Sequence, residues 1–285
     1  MSIRSDSAAL PLTQKSTSDP IKSRRLSRRR LQKGLLSTAL FVVVVAAWEA
    51  TSRYWIDPLW ISSPRLVAER LWTGMSDGSL ALNTWITVQE ALIGLIIGTL
   101  AGVIAGLLLA RVKPVAELLD PYILGAYSLP RIALAPFFVL WLGIGLASKV
   151  VLVVSVVFFV VLFNVRQGIE TVDSDLTDAM KSMGANQWEI TRQVVIPTVA
   201  PWIVSAVKIG VGMALVSAVV GEMVGSTGGL GWYVTRSLNQ FDMTGGVTAL
   251  LVMAAIAMLL YYFLAAFERR LFAWRGDGHS GTAPM

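Results

Sequence analysis

The stretch DAMKSMGANQWEITRQVVIP, residues 178–197, is a polar insert between two strongly apolar parts of the chain. It carries charged side chains of both signs, which are costly inside a bilayer, so it is too polar to cross lipid. It is also too regular for an unstructured loop, because helix-forming residues lie on both sides of Gly184. The pattern predicts a helix–turn–helix elbow over residues 172–197.

Helix start and stop signals divide this elbow. Asp173 and Ser174 are candidate N-caps of a first helix, and Gly184 offers the left-handed turn that ends it. Asn186 is the candidate cap of a second helix. Pro197 then fits the first turn of the helix that follows, where proline needs no hydrogen-bond donor.

Long apolar runs surround the elbow. Hydrophobic residues make up 55% of the 285 residues and charged residues only 15%. The runs 91–110 and 243–267 contain no charge. Each can cross a hydrocarbon core about 30 Å thick, since a helix rises about 1.5 Å per residue. The runs lack the period-2 alternation of barrel strands, so we predict an all-α polytopic membrane protein.

Six transmembrane helices follow from these runs. The run 149–165 is rich in β-branched residues, but a lone strand in lipid would leave its backbone unpaired, so we predict a helix there too. The predicted spans are 34–54, 84–110, a third that begins near 118 and is broken by Pro130 and Pro136, then 149–165, 199–222 and 245–267. The predicted domains are a disordered basic tail (1–33), a transmembrane domain (34–270) and a polar C-terminal tail (271–285).

The positive charge is unevenly distributed between the two sides of the predicted bundle. The segment KSRRLSRRRLQK (22–33) is strongly basic, and more Lys and Arg lie on its side of the membrane than on the other. Because basic loops stay in the cytoplasm, we expect both termini and the elbow to be cytoplasmic. Anionic lipid headgroups account for the basic excess, so no nucleic-acid partner is expected.

The chain lacks the residues that disulfides, zinc sites and phosphate-binding loops require. The chain has no cysteine and one histidine, His279 in the C-terminal tail, so we expect no disulfide and no zinc site. The glycine-rich segment GSTGGLG (225–231) lacks the Gly-Lys-Ser/Thr ending of a phosphate-binding loop. We therefore expect no catalytic residue, no cofactor and no ATP hydrolysis by this chain.

Four residues near or within the predicted spans are candidates for a translocation pathway. Arg131 follows a helix-breaking proline and could attract an anion, snorkel, or pair with a carbonyl. Glu222 ends the fifth span and could line the pathway or accept hydrogen bonds from the backbone of the glycine-rich segment. Gly229 and Gly231 could let that segment turn back towards the membrane; a plain external loop is the alternative.

The elbow resembles the cytoplasmic motif of the inner-membrane permease subunits of ABC importers. That motif reads E-A-A, three residues, G, nine residues, then I-x-L-P, and Asp178-Ala179-Met180, Gly184 and Val194-Val195-Ile196-Pro197 stand at its positions. Segments 118–150 and 221–234 resemble the nitrate/sulfonate/taurine-type permeases. The resemblance covers about residues 40–275.

The resemblance implies the fold of type I ABC importer permeases and a transport subunit that is not an enzyme. Its implied partners are two cytoplasmic ATP-binding subunits, an extracytoplasmic substrate-binding protein and a second permease copy, in the inner membrane of a bacterium. The implied cargo is a sulfonate, taurine or nitrate-like anion. The implied contacts with the ATP-binding subunit are Asp178, Ala179, Met180, Lys181, Gly184, Glu189, Arg192, Ile196 and Pro197.

An autonomous secondary transporter or channel is the alternative. Such proteins commonly contain inverted repeats and an ion site near the bilayer midplane. The sequence shows no clear internal repeat and few acidic residues inside the predicted spans, and such a protein would not need the elbow.

Overall fold

The computed structural model describes residues 20–55 and 60–271, and these contain helices and turns but no strand. Five helices are long and apolar enough to cross a membrane. A sixth span forms if residues 114–128 and 131–142, which meet at an angle of 77°, count as one broken helix. The predicted all-α fold with six membrane helices is therefore confirmed, including the break near Pro130.

Eleven α-helices are present in the described residues. In chain order they are α1 (Pro20–Tyr54), α2 (Pro64–Ser76), α3 (Ser79–Arg111), α4 (Lys113–Ser128), α5 (Ala135–Leu142), α6 (Leu146–Glu170), α7 (Ser174–Ser182), α8 (Gln187–Ile190), α9 (Ile196–Val224), α10 (Leu230–Asn239) and α11 (Met243–Leu271). A 3₁₀ turn, Arg131–Leu134, precedes α5, and a π-helical turn, Thr191–Val195, joins α8 to α9.

Helix α1 forms a compact unit separate from the other helices. It begins at Pro20, so residues 20–33, expected to be disordered, are helical in the structure. Lys, Arg, Leu and Gln are good helix formers, and a segment that continues an existing helix avoids the cost of nucleation. Residues 1–19 of the predicted tail and residues 272–285 lie outside the described residues.

A seam of glycines joins α3 to α6. Every fourth residue on one face of α3 is glycine, and each meets a valine that repeats with the same spacing on α6. A Cβ at Gly98 would lie 2.9 Å from the Val157 Cβ, and one at Gly102 would lie 2.7 Å from the Phe158 carbonyl oxygen. Small residues let helix backbones approach closely in lipid. The glycines are Gly94, Gly98, Gly102 and Gly106, and the valines are Val153, Val157, Val161 and Val165.

Helix α9 completes the core against α3 and α6. Its buried face consists mainly of small residues, among them Ala206, Ala214 and Ala218, which lie in one apolar cluster with the α6 valines. Nearer the elbow, the Trp202 ring covers Gly168, where a Cβ would lie 2.8 Å from the indole. Helices α3, α6 and α9 therefore pack as one close three-helix core.

Two short helices, α2 and α10, lie outside the predicted spans. Ser63 caps α2 by accepting a hydrogen bond from the Leu66 N–H (3.3 Å), and Pro64 starts the helix. Arg70 on α2 forms an ion pair at 2.9 Å with Asp242, which follows α10. This contact ties α2 to the turn between α10 and α11.

Candidate functional site

The elbow, residues 172–197, folds as its start and stop signals predict. Asp173 caps α7 by accepting from the Asp175 N–H at 2.9 Å. After α7 the chain turns at Gly184, which has a left-handed φ of 84°. The Ala185 N–H donates to the Met180 carbonyl (3.0 Å) and the Gly184 N–H to the Lys181 carbonyl (2.9 Å), which is the Schellman arrangement. The turn therefore satisfies its own carbonyls and needs no partner to hold its shape.

The second helix of the elbow is fixed by a reciprocal cap. The Asn186 side chain accepts from the N–H groups of Trp188 and Glu189, at 3.0 and 2.9 Å. The Glu189 carboxylate in turn accepts from the Asn186 N–H at 2.8 Å. Glu189, one of the residues that the resemblance implies as a partner contact, is thus already engaged within the elbow.

Large apolar side chains project from the elbow. Met183 is 86% exposed and Trp188 62% exposed, although both lie in a polar segment, and Leu176 is also exposed. Asp178 and Lys181, both exposed, form an ion pair at 2.8 Å along α7. An apolar surface edged by charges is typical of a protein-binding site.

All nine residues predicted for the partner interface lie on or next to this elbow. Ala179, Gly184, Arg192 and Ile196 are exposed, whereas Met180 and Pro197 are half-buried. A Cβ at Gly184 would meet nothing within 4 Å, so that position faces open space.

The end of the elbow is anchored in the helical bundle. Ile190 and Val194 are 4% and 6% exposed, and Thr191 accepts a hydrogen bond from Arg111 Nη2 at the end of α3 (3.3 Å). Pro197 lacks an N–H, and its ring would crowd the carbonyl four residues earlier, which accounts for the π-helical turn before α9. Movement of the elbow would thus act on α9 and α3.

At the far end of α9, Glu222 holds the glycine-rich segment in place. Its Oε1 accepts from the Thr87 hydroxyl (2.7 Å) and its Oε2 from the Gly231 N–H (2.6 Å). Thr87 Oγ1 accepts from the Leu230 N–H (2.8 Å), and Asn83 Oδ1 accepts from the Gly229 N–H (2.8 Å). We call Asn83, Thr87, Glu222 and residues 225–231 the outer clamp, a name that refers only to its place at the end of α9 away from the elbow.

Glycine is required at two positions of the outer clamp. Gly229 has a φ of 98°, and a Cβ there would collide with the Glu222 carboxylate. A Cβ on Gly231 would collide with the Val219 carbonyl oxygen. Glu222, Gly229 and Gly231, predicted as one group, do lie together. The hydrogen bond from the Gly231 N–H fits the structural role considered for Glu222, which is 1% exposed, and its role in a pathway stays a prediction.

Two further charges are buried beside Glu222. Glu90 on α3 and Lys149 on α6 are 3% and 1% exposed, and Lys149 interacts electrostatically with both carboxylates. Neither residue is among the candidates that the sequence suggested, because each lies near the start of a predicted span, 84–110 and 149–165, and its burial is visible only in the structure. A buried charge needs an opposite charge, and only the fold brings these three helices together.

Arg131 lies apart from this group, at the break between α4 and α5. Its guanidinium carbon is 4.8 Å from the ring centroids of both Tyr127 and Phe159. Its Nη1 is buried without a hydrogen-bond partner in the described chain. The aromatic rings hold the cation by cation–π contact, a role that sequence reasoning did not consider.

Comparison with known proteins identifies the family. The model of the family described as "binding-protein-dependent transport system inner membrane component" matches residues 98–273. The chain belongs to this family. It is a permease of the ABC importer class, and membership decides against an autonomous secondary transporter or channel.

Curated relatives of this permease differ in their cargo. The riboflavin transport system permease protein RibX of Chloroflexus aurantiacus is 32% identical over 86% of this chain and 91% of its own length. The taurine transport system permease protein TauC of Escherichia coli is 30% identical over 91% of this chain and 97% of its own length.

A solved structure shares the fold. The methionine ABC transporter MetNI, in inward-facing conformations, matches with a TM-score of 0.60 and 22% identity, over 66% of this chain and 94% of the matched chain. No group of three or more His, Cys, Asp or Glu residues that could hold a metal occurs in the described part of the permease.

Proposed function

We propose that this permease carries a small organosulfonate, taurine or nitrate-like anion into the cytoplasm. It would act as two identical copies with two ATP-binding subunits, and an extracytoplasmic binding protein would deliver the solute. The taurine relative, at 30% identity over 91% of this chain, supports the class of cargo. Both termini and the elbow would face the cytoplasm, as the distribution of Lys and Arg favours.

The exposed apolar tip of the elbow is the observation that carries this proposal. Met183 and Trp188 are exposed on the single chain, and a partner that covers them would remove their apolar surface from water. Ala179 and Gly184 have little or no side chain, so a partner surface can approach the backbone closely there. Asp178 and Lys181 lie beside them and can exchange their mutual pairing for contacts at the rim of an interface.

The cargo would pass along a pathway near the broken span and the outer clamp. Arg131 supplies a positive charge at the break, and its unpartnered Nη1 suits a hydrogen bond to an anion. Glu222, Gly229 and Gly231 would border the outer end of this pathway, with the clamp setting the shape of the backbone.

The experiment compares two substitutions at Gly184. Any L-residue at a φ of 84° is strained, so Gly184→Ala and Gly184→Trp share the backbone penalty. Only Trp adds bulk to the open space in front of the turn. We expect Gly184→Trp to abolish copurification with the ATP-binding subunit and ATP-driven uptake, whereas Gly184→Ala retains both at a reduced level.

Membrane insertion is the control for both variants, measured as the amount of permease in the membrane fraction. Normal binding of the ATP-binding subunit by an inserted Gly184→Trp variant would overturn the assignment of the elbow. Uptake of riboflavin in place of taurine, methanesulfonate or nitrate by the intact transporter would overturn the class of cargo while leaving the elbow assignment standing.

A further inference from the structure

A pocket opens between the end of α9 and α10, next to the outer clamp. Because α9 has 29 residues, this pocket lies about 40 Å from the elbow. If the elbow is cytoplasmic, the pocket faces the side from which an importer receives its cargo. Its polar wall consists of Ser226, Thr235, Arg236, Asn239 and Gln240, with the Trp232 indole beside them.

Arg236 is the cation of this pocket. Its guanidinium carbon lies 5.2 Å from the Trp232 ring centroid, which orients the side chain. Arg236 forms no ion pair with any carboxylate in the described residues. Asp242, a few residues further on, is paired with Arg70.

The acid that borders the pocket is also occupied. The Glu222 carboxylate accepts hydrogen bonds from Thr87 and Gly231 and lies near Lys149. The Ser226 and Thr235 hydroxyls donate to the carbonyls of Gly228 and Gly231, at 2.8 and 3.1 Å. The side chains left free to bind a ligand are therefore a guanidinium and two amides. Donors of this kind arranged around one positive charge suit an oxyanion, which accepts several hydrogen bonds at once.

The outer clamp fixes the start of α10, the helix that carries Arg236. The backbone of residues 229–231 is held by Asn83, Thr87 and Glu222, and a Cβ at Gly225 would lie 2.8 Å from the Val139 side chain of α5. Backbone that is fixed before a ligand arrives does not have to be ordered on binding, which favours affinity.

We propose that this pocket is an outer acceptor site for a small oxyanion, held by Arg236 together with Gln240. The proposal rests on the proposed function for the direction of transport. It adds residues that would bind the anionic cargo and that were not predicted from the sequence. Arg236 would receive the anion as the binding protein releases it, before the anion enters the membrane.

The absence of cysteine makes a direct test possible in the complete transporter. Asn239→Cys places one thiol in the pocket, and Ser76→Cys, at the exposed end of α2, places a matched thiol outside it. Each thiol is labelled with the neutral reagent N-ethylmaleimide in increasing sodium methanesulfonate, with sodium chloride of equal ionic strength as the comparison.

Methanesulfonate should slow labelling of Asn239→Cys in a saturable manner, and chloride should not. Labelling of Ser76→Cys should be equal in both salts. Adding Arg236→Gln to Asn239→Cys should raise the half-protecting concentration about tenfold or more, because hydrogen bonds between charged groups are the stronger ones. Arg236→Lys, which keeps the charge but not the planar fork, should give an intermediate value.

Two results would overturn the site: equal labelling of Asn239→Cys in methanesulfonate and chloride, or protection that survives Arg236→Gln. Labelling needs neither ATP nor a docked ATP-binding subunit. If the Gly184→Trp variant still bound the ATP-binding subunit while methanesulfonate protected Asn239→Cys, the result would count against the elbow alone. If methanesulfonate gave no protection while ATP-driven uptake persisted, the result would count against the pocket alone.

Discussion

The elbow and the outer clamp lie at opposite ends of α9, and both hold irregular backbone in place, but they do so with partners at very different distances along the chain. In the elbow, Asn186 and Glu189 cap each other across three residues. In the clamp, Glu222 and Thr87 are 135 residues apart, and Gly229 and Asn83 are 146 apart.

Because of this difference, the loss of one hydrogen bond should have different consequences for stability in the two regions. The elbow keeps its shape by local hydrogen bonds that are accessible to water, so the loss of one should be felt locally. The clamp consists of buried polar groups from two spans and a loop, and the buried charges of Glu90 and Lys149 lie beside it. The loss of one member leaves the others without partners in the protein interior. Three substitutions, each paired with a control substitution, test this contrast.

The largest effect is expected from Glu222→Ala at the clamp. It leaves the Gly231 N–H without an acceptor and deprives Lys149 of one of its two buried carboxylates. Removing one member of a buried charge group costs about 3–5 kcal/mol of the free energy of unfolding. Denaturant unfolding of the purified permease in micelles measures this cost.

Glu189→Ala in the elbow is the matched carboxylate deletion. It removes one exposed capping bond, a local loss of about 1 kcal/mol or less that should change the free energy of unfolding of the whole permease little. Equal losses for Glu222→Ala and Glu189→Ala would contradict the contrast between the two ends of α9.

An intermediate effect is expected from Gly98→Ala in the glycine seam, which supports the clamp by joining α3 to α6. The new methyl group would lie 2.9 Å from the Val157 Cβ, so the helices must separate, at a cost of about 1–3 kcal/mol. Adding Val157→Ala should restore part of the loss in the same unfolding measurement.

Gly212→Ala is the control for the seam, since a Cβ at Gly212 would meet nothing within 4 Å and the residue lies inside helix α9. It should be neutral or slightly stabilising, because alanine favours the helix. A Gly98→Ala variant as stable as Gly212→Ala would show that the seam is looser than described.

The smallest effect on global stability is expected from Asn186→Ala. The loss of this cap costs about 1 kcal/mol, confined to α8 and the adjoining turn. Amide hydrogen exchange of residues 187–190 should accelerate about fivefold, while the denaturant midpoint of the whole permease stays unchanged. Asn186→Asp, which can still accept both bonds, should exchange at the original rate; acceleration as large as in Asn186→Ala would exclude capping as the cause.

The same contrast explains what the sequence could predict. The spans follow from apolar runs, and the turn at Gly184, the cap at Asn186 and the proline start of α9 follow from signals within a few residues. The family motif selected the elbow residues. Their role in docking stays a prediction, and their local conformation is confirmed.

The clamp could not be predicted from the sequence, because its contacts join residues that lie far apart along the chain. Glu90 and Lys149 look like residues at the ends of spans, and only the packing of α3, α6 and α9 shows that they are buried together. The glycines of α3 recur at every fourth residue, a signal present in the sequence, but the matching valines on α6 are needed to recognise the seam. Likewise, Arg236 stands out only once Asp242 is seen to pair with Arg70.

The glycine seam also restricts how the core can deform. Four valines of α6 lie over four glycines of α3 at the same four-residue spacing, so each valine side chain fits into the gap left by a glycine. A slide of either helix along the other would drive valine methyl groups into bare backbone until a full repeat, about 6 Å, had been traversed. Small sliding movements between α3 and α6 are therefore blocked. In a conformational cycle the two helices have to move together as one rigid body, and the hinges have to lie elsewhere in the permease.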